Sequence, residues 1–211
     1  MQNVRTPIDI ESFRHILNRI IVRKFRTLEE LYICILAVHS LGLPDVQHLL
    51  VMSDNAINEI VNAVLNNCTV VCDTRMLACG VRHSLIKRNF SNNVVCLSEL
   101  RDKHGVKYIA DVVPLYASLI SESILLVGSS PQVIEKVLQL NIRPRAIIAT
   151  PPGFLKSPEV KSRLVNSGLC YITVLGSVGS ASLCLGIFNA VLDVARGTHL
   201  KILQNLDMVS T

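Results

Sequence analysis

Ser123-Ile124-Leu125-Leu126-Val127-Gly128-Ser129-Ser130-Pro131, continued by a helix-period segment to Leu140 and then by Ala146-Ile147-Ile148-Ala149, is the stretch that decides the fold. The first apolar run is continuous rather than alternating, which marks a strand covered on both faces. Ser130-Pro131 has the form of a helix start, because a proline in the first turn gives up no intrahelical hydrogen bond. The second apolar run completes a β-α-β unit, and such a crossover joins parallel strands. Cys68 to Cys72, Val94 to Leu97 and Leu169 to Leu175 read as further strands of the same kind, and Ser157-Pro158 opens another helix that runs to Asn166.

Upstream the pattern is helical. Thr6-Pro7-Ile8-Asp9 supplies an N-cap, a proline at the first helical position and an acid in the first turn. Ile10, Phe13, Ile16, Leu17, Ile20 and Ile21 follow at helical spacing. A second helix is expected from Leu28 to about Ser40, nearly all apolar and therefore buried, and a third from Ser53 as N-cap through Leu65. The expectation is one α/β domain over residues 1–211: a mainly parallel sheet of about five strands with helices on both faces, preceded by an N-terminal helical segment. The tail from Arg196 onward is the one segment expected to pack loosely.

Composition limits the function classes. Of 211 residues, 50% are hydrophobic and only 18% charged, which excludes disorder as the main state. With 4% aromatic residues and no Trp, the chain lacks the stacking faces that single-stranded nucleic acid requires. The excess of 21 basic over 16 acidic residues, 21 − 16 = +5, fits a small polyanion better than DNA, so no nucleic-acid partner is expected. Seven cysteines form an odd set, and no signal peptide opens the chain, so they read as reduced core thiols of a cytoplasmic protein. Cys68, Cys72 and Cys79 lack the spacing of a zinc knuckle. The uncharged run between Arg163 and Asp193 is long enough to span a bilayer, but two glycines and three serines between Gly176 and Ser182 break it. A buried strand followed by a buried helix is expected there, and no membrane partner.

In open parallel sheets, ligands bind beyond the carboxyl ends of the strands. The segments there are Asp73-Thr74-Arg75-Met76, Gly128-Ser129-Ser130-Pro131, Thr150-Pro151-Pro152-Gly153-Phe154 and Gly176-Ser177-Val178-Gly179-Ser180. The last matches no nucleotide-binding fingerprint and reads as an anion or backbone-contact loop. Asp73 is a ligand contact or a helix cap. His39, at the end of the most apolar helix, is either a structural imidazole or a general acid or base, since its ordinary pKa near 6.5 suits proton exchange at neutral pH. Lys156, Lys161 and Arg163 form a cationic rim or simply a solvated helix face.

Six of these segments together resemble the precorrin-8X methylmutases, also called cobalt-precorrin-8 methylmutases. Ile10-Glu-Ser-Phe stands against E-x-S-F, Val38-His39-Ser40-Leu41-Gly42 against V-H-A-x-G, and Cys72-Asp73-Thr74-Arg75-Met76 with Gly80 against C/T-D-x-x-M-V-x-x-G. Pro151-Pro-Gly-Phe stands against P-V-G-F, Glu159-Val-Lys161 against E-S-K, and Gly176-Ser-Val-Gly179-Ser180 against G-R-x-G-G-S. The resemblance implies an isomerase of cobalamin biosynthesis that moves a methyl group from C11 to C12 of a corrinoid ring to give hydrogenobyrinate. It implies no cofactor or metal on the protein, a tetrapyrrole substrate with several carboxylates, and a homodimer. His39 matches the family's proton-handling histidine. Ser12, Asp73, Thr74, Met76, Gly153, Lys161, Gly179 and Ser180 match substrate-binding positions, Lys161 as partner of a peripheral carboxylate. Leu36 and Leu115 stand where the family usually has arginine. The alternative is therefore a catalytically impaired corrinoid-binding carrier or scaffold of the same fold.

Overall fold

The computed structural model describes residues 5–208. Its centre is a six-stranded sheet made of β1 (Leu50–Met52), β2 (Val70–Cys72), β3 (Val94–Cys96), β4 (Ile124–Val127), β5 (Ala146–Ala149) and β6 (Tyr171–Val174), in the order β1-β6-β5-β4-β2-β3. Every pairing is parallel except β1 with β6, where Leu50 lies opposite Val174. All residues of β2, β4, β5 and β6 are buried, as continuous apolar runs require.

Helices cover both faces. One carries α1 (Pro7–Leu17), α2 (Leu28–Leu41), α4 (Ala56–Leu65), α5 (Arg75–Lys87), α10 (Ala181–Ala195) and α11 (Thr198–Gln204), whose apolar side chains share one core with the strands. The other carries α8 (Pro131–Gln139) and α9 (Lys156–Val165), with α6 (Leu97–His104) and α7 (Ala117–Ser121) beside them. A one-turn α3 (Val46–Leu49) leads into β1. Among the described residues, no helix is long and apolar enough to cross a membrane. The uncharged run is β6, a loop and α10, as expected. Nine residues of α10 are buried, and α2, α4 and α5 of the same chain pack on it.

Local chemistry explains the boundaries. Thr6 and Asp9 form a reciprocal capping box that starts α1. Gly42 ends α2 in the left-handed region at φ 66°, where a side chain would be strained. Four expectations need correction. The helical periodicity runs on to Ile21, but α1 stops at Leu17, and Ile20 is buried from the following turn. Ser53 is not an N-cap: α4 begins at Ala56, and the Ser53 hydroxyl accepts from the Tyr171 amide at 3.0 Å. The expected sheet lacked β1, a three-residue strand at the sheet edge. The tail does not pack loosely either, since α11 buries His199, Ile202 and Leu203; residues 209–211 lie outside the described part.

Candidate active site

The order in which strands are added reverses between β2 and β4, so the strand-order crevice opens between Asp73 and Gly128. The protein fills that crevice itself. Asp73 is fully buried, and its Oδ2 accepts from the amides of Ser129 at 2.8 Å and Ser130 at 2.9 Å, at the start of α8. Burial raises its pKa above the ordinary carboxylate value although these amides, with those of Gly128 and Thr74, pull it down. Its Oδ1 and the Thr74 hydroxyl are buried and make no hydrogen bond among the described residues.

The neighbouring loops are fastened in the same manner. Lys161 projects from α9 with no exposed surface, and its ammonium donates to the carbonyls of Pro151 at 3.2 Å and Val178 at 2.9 Å. Burial pulls its pKa down to about 8. Ser157 also donates to the Pro151 carbonyl at 2.5 Å, and Thr150 donates to that of Ser180 at 3.0 Å. A Cβ at Gly179 would overlap the Thr150 carbonyl oxygen, so only glycine lets these loops touch. Gly153 has φ 135° and donates its amide to Ser177 at 3.0 Å. Ser180 caps α10 by accepting from the Leu183 amide at 3.0 Å. Lys161 is thus a clamp between two loops in this structure, and its ammonium faces backbone instead of the rim. Met76 is exposed in the first turn of α5, as are Phe154 and Leu155 at the tip of the loop after β5.

His39 belongs to a second grouping. The last turn of α2 lies against α10, where Gly186 has no side chain to collide with the Ser40 hydroxyl and the Leu36 carbonyl. Gly80 of α5 meets Leu185 on the same half of α10, so α2 and α5 both rest on it. All residues of α2 from Leu31 to Val38 are buried, and His39 is the first to emerge, with 37% of its side chain exposed. Its ring stands edge-on to Phe13 at 5.2 Å between centroids. Its Nε2 lies 3.8 Å from Asp9 Oδ1. Asp9, Ser12 and Phe13, spaced i, i+3 and i+4, share the face of α1 beside this histidine. Ser12 thus lies on the face of α1 that carries the two neighbours of His39, while Asp73, Thr74, Met76, Gly153, Gly179 and Ser180 belong to the strand-end loops.

Reading from sequence missed the anchor that holds α1 in place. Asp193, fully buried on α10, accepts from Arg88 Nε at 2.7 Å, from Arg5 at 2.7 Å and from the Tyr32 hydroxyl at 2.9 Å. The signal was present, since a lone acid closing a long uncharged run must find cations or lose its charge. Leu36, where the family usually has arginine, is buried under the α2–α10 contact, and Leu115 is exposed. Cys68, Cys72 and Cys79 do not converge: among the described residues, no group of three or more His, Cys, Asp or Glu side chains is placed to hold a metal ion.

A mainly parallel sheet with helices on both faces and tied strand-end loops defines a class, that of the open α/β proteins. The particular family follows from comparison. Residues 7–194 match the model of the CbiC family, described as precorrin-8X methylmutase, and the chain belongs to this family. The cobalt-precorrin-8 methylmutase of Methanocaldococcus jannaschii is 26% identical over 163 residues, 75% of this chain and 77% of that protein. The precorrin-8X methylmutase of Pseudomonas aeruginosa is 26% identical over 166 residues, 73% of this chain and 79% of that one. The structure of the Thermus thermophilus precorrin-8x methyl mutase superposes with a TM-score of 0.80 at 23% identity, covering 91% of this chain and 97% of that chain, which shows the shared fold. Family membership places the chain among the isomerases.

Proposed function

We propose that this protein is a precorrin-8X methylmutase of cobalamin biosynthesis, moving the methyl group from C11 to C12 of the substrate ring and using His39 as its proton donor and acceptor. The observation that carries the catalytic assignment is the emergence of His39 from an otherwise buried helix, with Asp9 beside it and Ser12 one turn further along α1. The reaction is an isomerisation. The C11–methyl bond breaks, the C12–methyl bond forms, and the proton lent to a ring nitrogen is returned, so no electron is gained or lost. His39 hydrogen bonded to a ring nitrogen draws electron density through the conjugated ring as the methyl group migrates. Ser12 supplies a neighbouring hydroxyl. Thr74, Met76, Gly153, Gly179 and Ser180 border the substrate from the strand-end loops, and Asp73 and Lys161 serve it by fixing those loops. The chain's net charge of +5 favours a polycarboxylate ligand.

The protein works in this reading as a cytoplasmic homodimer. Seven free thiols support the first part. The exposed α5 residues Met76, Cys79, His83 and Ile86, on one helical face, support the second, and sedimentation would report the stoichiometry. Leu36 and Leu115 favour a second reading, a corrinoid carrier that binds without turnover. Mixing the protein with precorrin-8X and following the visible spectrum separates the two. We expect conversion to hydrogenobyrinate, and a loss of about 100- to 10,000-fold in His39→Ala with the fold retained. A bound but unchanged spectrum in the parent protein selects the carrier.

A further inference from the structure

We infer that Asp9 is the positioning residue of His39, fixing its ring through Nε2 and leaving Nδ1 as the nitrogen that exchanges a proton with substrate. This rests on the catalytic reading of His39 given above. The two carboxylate oxygens of Asp9 have separate tasks. Oδ2 accepts from the Thr6 amide at 2.8 Å and from the Thr6 hydroxyl at 2.9 Å, which locks the carboxylate to the start of α1. Oδ1 is free of Thr6 and lies 3.8 Å from His39 Nε2, at ion-pair distance. The Phe13 ring closes another side of the imidazole, so ring and carboxylate are both held by α1. Among the described residues, Nδ1 has no hydrogen-bond partner within the protein, and it is not one of the buried polar atoms.

A carboxylate beside Nε2 favours the tautomer that carries its proton there. Asp9 is ionised at neutral pH. Burial pushes its pKa up, but the Thr6 hydrogen bonds together with the charges of Arg5 and His39 hold it below the usual range. Competing charges around His39 are few. Arg5 lies over the Phe13 ring at 5.8 Å but is paired with Asp193. From Ser180 to Phe188, α10 has no acid or base other than the buried thiol of Cys184. Asp45 and His48, past the Gly42 turn, are exposed to solvent.

The test reads the two ring nitrogens of His39 by NMR at fixed neutral pH in the full chain without substrate, with turnover measured in parallel. In Asp9→Asn, which keeps an oxygen for the Thr6 amide, the Nε2-protonated tautomer is expected to lose its preference, and kcat to fall about three- to tenfold while KM stays within about twofold. Asp9→Glu should restore part of both. An unchanged tautomer in a folded Asp9→Asn protein would overturn the pairing, whatever happens to turnover. A lost tautomer preference in Asp9→Asn together with full turnover in His39→Ala would support the pairing while removing the catalytic reading of His39.

Discussion

At the strand-end loops Asp73, Thr150, Ser157 and Lys161 are buried and bonded to backbone, whereas at the α1–α2 corner Asp9 and His39 keep 26% and 37% of their side chains exposed. Both groupings lie beside the N-terminal half of α10, and both combine charge with hydrogen-bonding groups. They differ in what their polar atoms face. The loop groups meet carbonyls and amides of their own chain, so they set shape. The corner groups keep free edges, so they can meet a ligand. A buried charge matched by backbone is strong evidence for a held geometry and weak evidence for chemistry, while a half-open histidine with a fixed carboxylate supports chemistry.

If that division holds, substitutions in the loops should damage stability, and those at His39 should damage turnover alone. The largest loss is expected for Gly179→Ala. Its new methyl group would meet the backbone at Thr150 and Pro151, which cannot swing aside as a side chain would. We expect about 3 kcal/mol less stability in urea unfolding. An unaffected midpoint would mean that the two loops do not need their close contact.

Lys161→Met comes next. It leaves the Val178 carbonyl without its partner and weakens the pairing of Pro151, at about 2 kcal/mol near neutral pH. The pH dependence gives a sharper check. The folded-state pKa of about 8 lies below the ordinary 10.5, so between these values the unfolded chain binds more protons than the folded one. The stability advantage of the parent over Lys161→Met should therefore be constant below about pH 8 and rise from there towards 10.5. Paired unfolding curves across this range would measure it, and a flat difference would show that the ammonium is not held in a desolvated place.

How far the sequence revealed these two regions depends on the distance over which the deciding contacts act. The strands β2, β4, β5 and β6 and the starts of α1 and α8 were legible because continuous apolar runs and caps are local features. β1 was not, because three residues at a sheet edge gain their strand character only by pairing with β6, more than a hundred positions away. His39 stood out as a titratable group ending an apolar helix. Asp9 was legible as a first-turn acid but not as its neighbour, since that contact depends on how α1 crosses α2. Lys161 looked like a rim cation because helical spacing does not say which side of α9 meets the loops. Asp193 collects partners from three distant segments, and only the assembled fold brings them together.

Asp73 offers the smallest effect and the finest separation between shape and chemistry. Asn at this position can still accept from Ser129 and Ser130, so the start of α8 stays tied to the end of β2. Only the charge is lost, and burial makes that charge unfavourable. At pH 7 the stability of Asp73→Asn should lie within about 0.5 kcal/mol of the parent or above it. The folded pKa is raised, so the folded protein binds more protons than the unfolded chain above the ordinary carboxylate value of 3.8. Parent stability should thus decline as pH rises from there through the folded value, and the Asn variant should lack this decline. Equal pH dependence in both proteins would mean that Asp73 ionises as freely in the folded state as in the unfolded one. The strand-end crevice would then be wetter than its hydrogen bonds imply, and Asp73 would move from the group that sets shape to the group that can meet substrate.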